Sequence, residues 1–383
     1  MEKKYIYFQP QYVGEFVCDS SKCNNNCCER GWNIDVDAAT YQKYLQRLPQ
    51  ITKLFEYNAD KGKYLLTKHP CPFLNEKKLC SLQLNCGEDF LSLTCRSYPR
   101  ITFCFGKFFE RALTLTCPVA AKKILLQEEP MKFELVEVSE KIHGGDRILI
   151  NPVQLDEKTS AHLLEIQIAM ISILQERLLT IDQRLIVLGF FLDRLDGIFS
   201  AESFDDAALI KLISAYESKK FLLEQVPRMI QSISFDVKKF SALMHELMDD
   251  FYGAGKFKDA ISKIATNFDK LSNFRKNFIN VHSNFLENFL VNELFMNCYP
   301  YRFEGAVMKN YGVFIIKYKI FELTLLLAAL KNPVGEDDLI SLADWFTSQF
   351  DHVEVYHRRI FDYLQDKDDT LNLINSLLEG ESK

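Results

Sequence analysis

Ten of the eleven cysteines, Cys18, Cys23, Cys27, Cys28, Cys71, Cys80, Cys86, Cys95, Cys104 and Cys117, fall in the first third of the sequence, and only Cys298 lies beyond it. Thiolates select soft ions. In a chain whose start carries no export signal, such density points to a metal site rather than a disulfide framework. The spacing runs Cys18-x4-Cys23-x3-Cys27-Cys28, then Cys71-x8-Cys80-x14-Cys95, then Cys117. Paired Cys-x2-Cys knuckles are missing and no histidine stands at ligand spacing, so zinc ribbons and fingers do not fit. The radical-enzyme pattern Cys-x3-Cys-x2-Cys fails as well, because Cys28 follows Cys27 directly.

Among soft-metal groups an iron–sulfur cluster is favoured, since Cys71 and Cys117 each precede proline, as in ferredoxin-like motifs. Structural zinc is the alternative, and inert cysteines used as small hydrophobes are the competing account. Cys27 and Cys28 project differently from one stretch of backbone, so one is expected to face the metal and the other the core. Arg96, Arg100 and Arg111 lie near these thiols in sequence. Guanidinium groups would offset the charge of a thiolate cluster and bond its sulfurs or a ligand carboxylate, which makes the three the candidate cofactor-binding residues. Surface arginines would look the same in sequence.

The composition bounds what surrounds such a site. The chain has 383 residues, 48% hydrophobic and 26% charged, with a formal charge of -6 from 46 basic and 52 acidic side chains. That balance offers no broad attraction for a phosphate backbone, and nucleic acid is not expected as a partner. No apolar run approaches the roughly 18 to 20 residues of a membrane span, and the opening MEKKYIYFQPQYVGEF lacks a signal core, so a cytoplasmic protein is expected. The 31 phenylalanines mostly keep helical phase and read as core.

The elements that must position the thiols are of mixed kind. DVDAATYQKYLQRL reads as a short helix opened near Asp37, with further helix over 86–95 and 117–127. RITFCFGKFFERALTLT reads as a β-hairpin split at Gly106-Lys107, and MKFELVEVSEKI and RILINPVQ as short strands around His143-Gly144-Gly145-Asp146. Beyond that point the pattern is helical: 159–179, a helix after the capping-box pair Thr180 and Gln183, then 206–223, 236–252, 256–271, 282–297, 311–331, 335–349 and 353–379. The expected fold is therefore mainly α: a cysteine-rich, metal-binding domain over 1–150 with a small β-hairpin, followed by an all-α domain over 151–383.

FVCDSSKCNNNCCERGWNIDVDAATYQKY, CPFLNEKKLCSLQLNCGEDFLSLTCRSYPR and RALTLTCPVAAKKIL together resemble the flagellin lysine N-methylases and, more distantly, the CxxCC-type iron- or zinc-chelating bacterial proteins. ENFLVNELFMNCYPY resembles their C-terminal part. The resemblance implies a cytoplasmic enzyme that methylates lysine ε-amino groups of flagellin, with S-adenosylmethionine as donor and a [4Fe-4S] cluster in the cysteine module. The matching thiols are Cys18, Cys23, Cys27, Cys28, Cys71, Cys80, Cys95 and Cys117, more than the four that one cluster needs. Cys71, Cys80 and Cys95 with one from the opening stretch are the preferred set. Cys86, Cys104 and Cys298 fall outside the pattern.

A methylase must also deprotonate lysine and align amine, methyl carbon and sulfur. Tyr98, Glu88 and Asp89 are candidate bases by proximity to the cysteines. No glycine-rich Rossmann loop is present; His143-Gly144-Gly145-Asp146 comes nearest and lacks the spacing. The rival expectation is a non-enzymatic metal-binding protein that engages flagellin through its helices, or a metal-chelating or delivery protein.

Overall fold

A computed structural model describes residues 4–18, 27–105, 108–139, 155–232, 268–303, 306–350 and 354–365, with 370, 371, 374 and 378. The chain divides into two compact units, one of residues 1–124 and 132–152, the other of 125–131 and 153–383. The predicted helix over 236–252, most of that over 256–271, the strand RILINPVQ and the His143–Asp146 turn lie outside the described residues.

The first unit holds β1 (Lys4–Pro10), α1 (Gln11–Gly14), β2 (Ile34–Val36), α2 (Ala38–Arg47), β3 (Phe55–Asn58), β4 (Lys63–Leu66), α3 (Ser81–Cys86), α4 (Leu93–Ser97), β5 (Arg100–Phe105), β6 (Phe108–Leu113), α5 (Pro118–Leu125) and β7 (Phe133–Ser139). The hairpin expected from sequence is β5–β6, with Arg100 opposite Leu113 and Phe105 opposite Phe108. It is only part of a four-stranded sheet of order β5-β6-β1-β7, and a second sheet has the order β2-β4-β3. The small hairpin of the sequence reading is thus corrected to two sheets, the first mixed and the second antiparallel. β1 hides its strand character because its last four residues are buried in succession, which removes the apolar–polar alternation. Around 86–95 the single expected helix is instead α3 and α4 separated by a 3-10 turn at Glu88–Phe90. Gly87, at φ +82, ends α3 in a conformation that side chains avoid.

β1 runs parallel to β6, with Ile6 opposite Phe108. Parallel neighbours need a long crossover, and everything from α1 to β5, including most of the thiols, is that excursion. Its own core is Val36, Tyr44, Ile51, Leu66, Phe73, Leu82 and Leu91, against which Cys71 and Cys80 pack.

The second unit is helical: α6 (Glu157–Ala161), α7 (Leu163–Leu174), α8 (Ile181–Phe199), α9 (Asp206–Glu217), α10 (Lys219–Gln231), α11 (Phe268–Val281), α12 (Ser283–Met296), α13 (Val307–Ala329), α14 (Glu336–Phe350) and α15 (Glu354–Gln365). The Thr180–Gln183 capping box opens α8 as expected. The single helix read over 206–223 is broken at Ser218, whose hydroxyl accepts from Phe221 N and caps α10. α13 is buried on nearly every face and is the axis of the unit. Among the described residues no helix is long and apolar enough to cross a membrane.

Candidate functional site

Four short pieces of backbone bring the thiols of the first unit together. Cys27 and Cys28 lie in a turn ahead of β2, with their sulfurs 4.0 Å apart. Cys71 N donates to Cys28 O at 2.9 Å, which docks the following loop on that turn. Cys80 precedes α3, whose first residue Ser81 bonds Phe73 O through both N and Oγ. Cys95 sits in α4, capped by Ser92 accepting from Cys95 N at 3.2 Å and pinned to β2 by Thr94 Oγ1 donating to Asp35 O at 2.8 Å.

Their ionisation is mutual. The Cys28 thiol, hydrogen-bonded to Cys27 and Cys71, is driven far up and keeps its proton. Cys71 is correspondingly lowered to about 7 by the Cys28 hydrogen bond, and Cys27 is lowered by the same partner. Burial and then the Cys71 and Cys27 charges raise Cys80. Cys95 is also pushed up, by the protein around it and then by Cys27, Cys71 and Cys80, although part of its surface still meets solvent. Cys27, Cys71, Cys80 and Cys95 therefore feel one another's charge, with Cys28 as the proton-bearing neighbour. Among the described residues no three thiols, imidazoles or carboxylates stand close enough to cage an ion as they lie.

Other sequence-predicted residues are placed differently. Cys117 is buried ahead of α5 and raises the Tyr98 phenol, after burial itself, well above its usual range. Tyr98 is thus a protonated hydrogen-bonding group, 3.1 Å from Thr116 Oγ1, with Trp32 edge-on at 5.7 Å and the Arg30 guanidinium 5.4 Å over the indole. Cys18 is exposed, and Cys23 lies outside the described residues. Arg96 stands beside Cys95 and faces Asp89, itself in solvent, at 4.0 Å. Arg100 Nη2 donates to Phe16 O at 2.9 Å. Arg111 donates from Nε to Thr102 Oγ1 and lies 4.2 Å over the Tyr7 ring. These contacts of Arg100 and Arg111 hold sheet and chain together. Of the leftover cysteines, Cys104 packs beside Tyr7 and Phe109, and Cys298, at φ +54, ends α12, with Tyr299 N bonded back to Leu294 O.

The second unit holds buried polar groups that the sequence reading did not single out. Glu287 accepts from Arg177 at 2.9 Å and Arg184 at 2.7 Å. Arg275, Asp182, Lys319 and Glu322 form a second network. A third joins Lys317 Nζ to Glu293 at 2.5 Å, Asn297 Nδ2 to Glu293 at 2.9 Å and Arg302 Nη1 to Asn297 Oδ1 at 2.5 Å. The signal was present in ENFLVNELFM: Glu287, Asn288, Asn292 and Glu293 interrupt a helix that is buried throughout, where each polar group needs a partner.

The FliB lysine N-methylase C-terminal domain matches residues 167–377, more than half of the chain and most of its second unit. The chain belongs to the FliB lysine N-methylase family. It is 32% identical over 140 residues to the flagellar biosynthetic protein FliU of Salmonella muenchen, covering 34% of this chain and 82% of FliU. The lysine-N-methylases of Salmonella typhimurium strain LT2 and Salmonella choleraesuis strain SC-B67 are also 32% identical over 140 residues, which covers 34% of this chain and 35% of each of them. The aligned part thus spans about a third of those two family members. No solved structure matches the chain.

Proposed function

We propose that the protein is a lysine N-methyltransferase of flagellin, with S-adenosylmethionine as donor and a [4Fe-4S] cluster in its first unit. Membership of the FliB lysine N-methylase family carries this reading, and two relatives bear the name lysine-N-methylase while a third is called a flagellar biosynthetic protein. The donor set is chemically suited to the cluster: thiolates only, with Cys27 and Cys71 already biased toward the ionised form that ligates iron. Cys27, Cys71, Cys80 and Cys95 would hold the cluster, Cys28 would stay protonated beside it, and Arg96 would offset its charge. Such a cluster would supply a Lewis-acidic, redox-capable centre. Zinc is the alternative occupant of the same thiols.

The chain's own share of the reaction is positional. Lysine's ammonium must lose a proton and its solvent before its nitrogen can attack the methyl carbon in line with the departing sulfur. The Tyr98 phenol, protonated beside Thr116, can orient a bound group by hydrogen bonding but cannot serve as the base in that state.

The test is incubation of purified protein, carrying its metal, with S-adenosylmethionine and its own flagellin, followed by mass spectrometry of lysine peptides. Methyl increments on lysines are expected. Their absence from protein with intact metal, oxidised and reduced, would leave a non-enzymatic flagellin-binding or metal-chelating protein. Iron and sulfide analysis decides the cluster: Cys71→Ser should lose iron, whereas a colourless, zinc-loaded wild type would sink that part of the proposal.

A further inference from the structure

The run Cys27-Cys28-Glu29-Arg30-Gly31-Trp32 sets two thiols, a guanidinium and an indole side by side in the sequence. Gly31, at φ +78, takes a left-handed conformation that other residues avoid, and this lets two side chains flanking it meet. The Arg30 guanidinium lies 5.4 Å over the Trp32 ring. Its Nε is shut off from water. A planar cation stacked on an indole in this way is held in one place, and its charge acts through protein rather than through solvent.

Two neighbours register that charge. The Cys27 thiol is lowered first by the Cys28 hydrogen bond and also by the Arg30 charge. The Tyr98 phenol, governed first by burial, feels the Cys27 and Arg30 charges together, and Trp32 stands edge-on to it at 5.7 Å. Sulfur, guanidinium, indole and phenol therefore share one electrostatic neighbourhood. Glu29, the acidic residue of the same turn, is directed to Lys78 at 2.9 Å. Of the arginines expected from sequence, Arg100 bonds the Phe16 carbonyl, Arg111 bonds the Thr102 hydroxyl and Arg96 faces the Asp89 carboxylate. The guanidinium built into the thiol-bearing turn is Arg30, which the spacing of the sequence did not single out.

We infer that Arg30 is a positioning residue of the metal centre: clamped on Trp32 beside Cys27, it offsets the negative charge of a thiolate-ligated cluster and raises its reduction potential. The inference rests on the cluster reading above and is independent of the transfer reaction. Reduction adds one electron to an already anionic group, so a fixed cation nearby favours the reduced state more than the oxidised one. Trp32 serves as the platform that keeps the cation in place.

The experiment is a potentiometric titration of the full-length, metal-loaded protein with dithionite as the electron donor, read by bleaching of the visible absorption and by electron paramagnetic resonance. The parent, Arg30→Gln and Arg30→Lys are compared. At the potential where half of the parent's cluster is reduced, the ratio of reduced to oxidised cluster in Arg30→Gln should be about tenfold lower, a shift of about 59 mV to more negative potential for one electron. Arg30→Lys, which keeps the charge, should recover most of the difference. Should Arg30→Gln lose its iron, the lysine variant decides: iron retained there supports the role of the charge, and iron lost from both shows that the shape of the side chain is what matters and overturns the inference. An unchanged or higher potential in Arg30→Gln, or an equal fall in both variants, also overturns it while the brown parent leaves the cluster reading standing. A colourless, zinc-loaded parent refutes both.

Discussion

Among single residues, Glu110 occupies the setting least suited to its chemistry. It is completely buried in β6, paired with Phe8 on one side and Phe103 on the other, and neither carboxylate oxygen has a hydrogen-bond partner. Burial alone raises its pKa to about 8. The folded protein then holds a proton that the unfolded chain, with a glutamate near about 4.3, gives up. Stability from this group is complete below the unfolded pKa and is lost as pH rises through the folded one, at about 1.4 kcal/mol per pH unit across that window. Glu110→Gln should flatten this slope. In a Trp345→Phe background, where Trp32 reports the first unit, the gap between urea midpoints at about pH 5 and about pH 8 should be wider with the native Glu110 than in the Glu110→Gln variant, whose amide does not titrate. Equal pH dependence would show that the carboxyl is not dehydrated as described. FFERAL gives no hint of this, since Glu110 reads as the solvent side of an alternating strand. Only the presence of β1 on its other edge, and cover on both faces, buries it.

Elements are fixed by a few close approaches. α13 passes α8 where Gly189 faces Tyr311, whose hydroxyl donates to Leu185 O at 2.9 Å. A Cβ at Gly189 would meet the Tyr311 ring and hydroxyl at 2.6 to 3.0 Å, and the ring is stiff and tethered by that bond. Gly189→Ala should therefore cost about 1–3 kcal/mol despite the better helix propensity of alanine. At Gly312 the close atom is Leu364 Cδ1 at 2.5 Å, the tip of a side chain that can turn away. Gly312→Ala should come out within about 1 kcal/mol of the parent, as rotamer strain and propensity offset. Thermal melts of the two variants check the order, and a reversed order would mean that α13 repacks. Neither approach could be read from sequence, where both glycines look like weak points in apolar helices. What was legible was local: the Asp37 cap of α2, the Thr180–Gln183 box and the β5–β6 hairpin each depend on residues within a few positions of one another. β1 and the β2–β4–β3 sheet were not, because their pairing is long-range. The meeting of Cys27, Cys71, Cys80 and Cys95 required that same long-range folding, although the thiols themselves were evident from composition.

At the scale of the whole chain, the two units carry opposite acid–base liabilities. The first is weakened as pH rises, through Glu110. The second depends on carboxylates that stay ionised in a buried setting. Burial would raise Glu322, but Arg275 and Lys319 bonded to it hold it at about 2. Its folded pKa is thus below the unfolded value, so its contribution is present above about pH 4.3 and disappears as pH falls toward 2, a loss of about 3 kcal/mol. Removing Glu322 takes from Arg275 one of its carboxylate partners and leaves a buried cation less fully compensated. Glu322→Gln should accordingly destabilise the second unit near neutrality and matter less in acid. With Trp32 replaced by phenylalanine, Trp345 reports this unit alone, since the chain has two tryptophans and one lies in each unit. The urea midpoint of Glu322→Gln should fall below the parent's at about pH 7, and about half of that gap should have closed by about pH 3. A deficit that persists unchanged into acid would instead assign Glu322 a packing role, and the charge of the network would then have no part in holding α11 and α13 together.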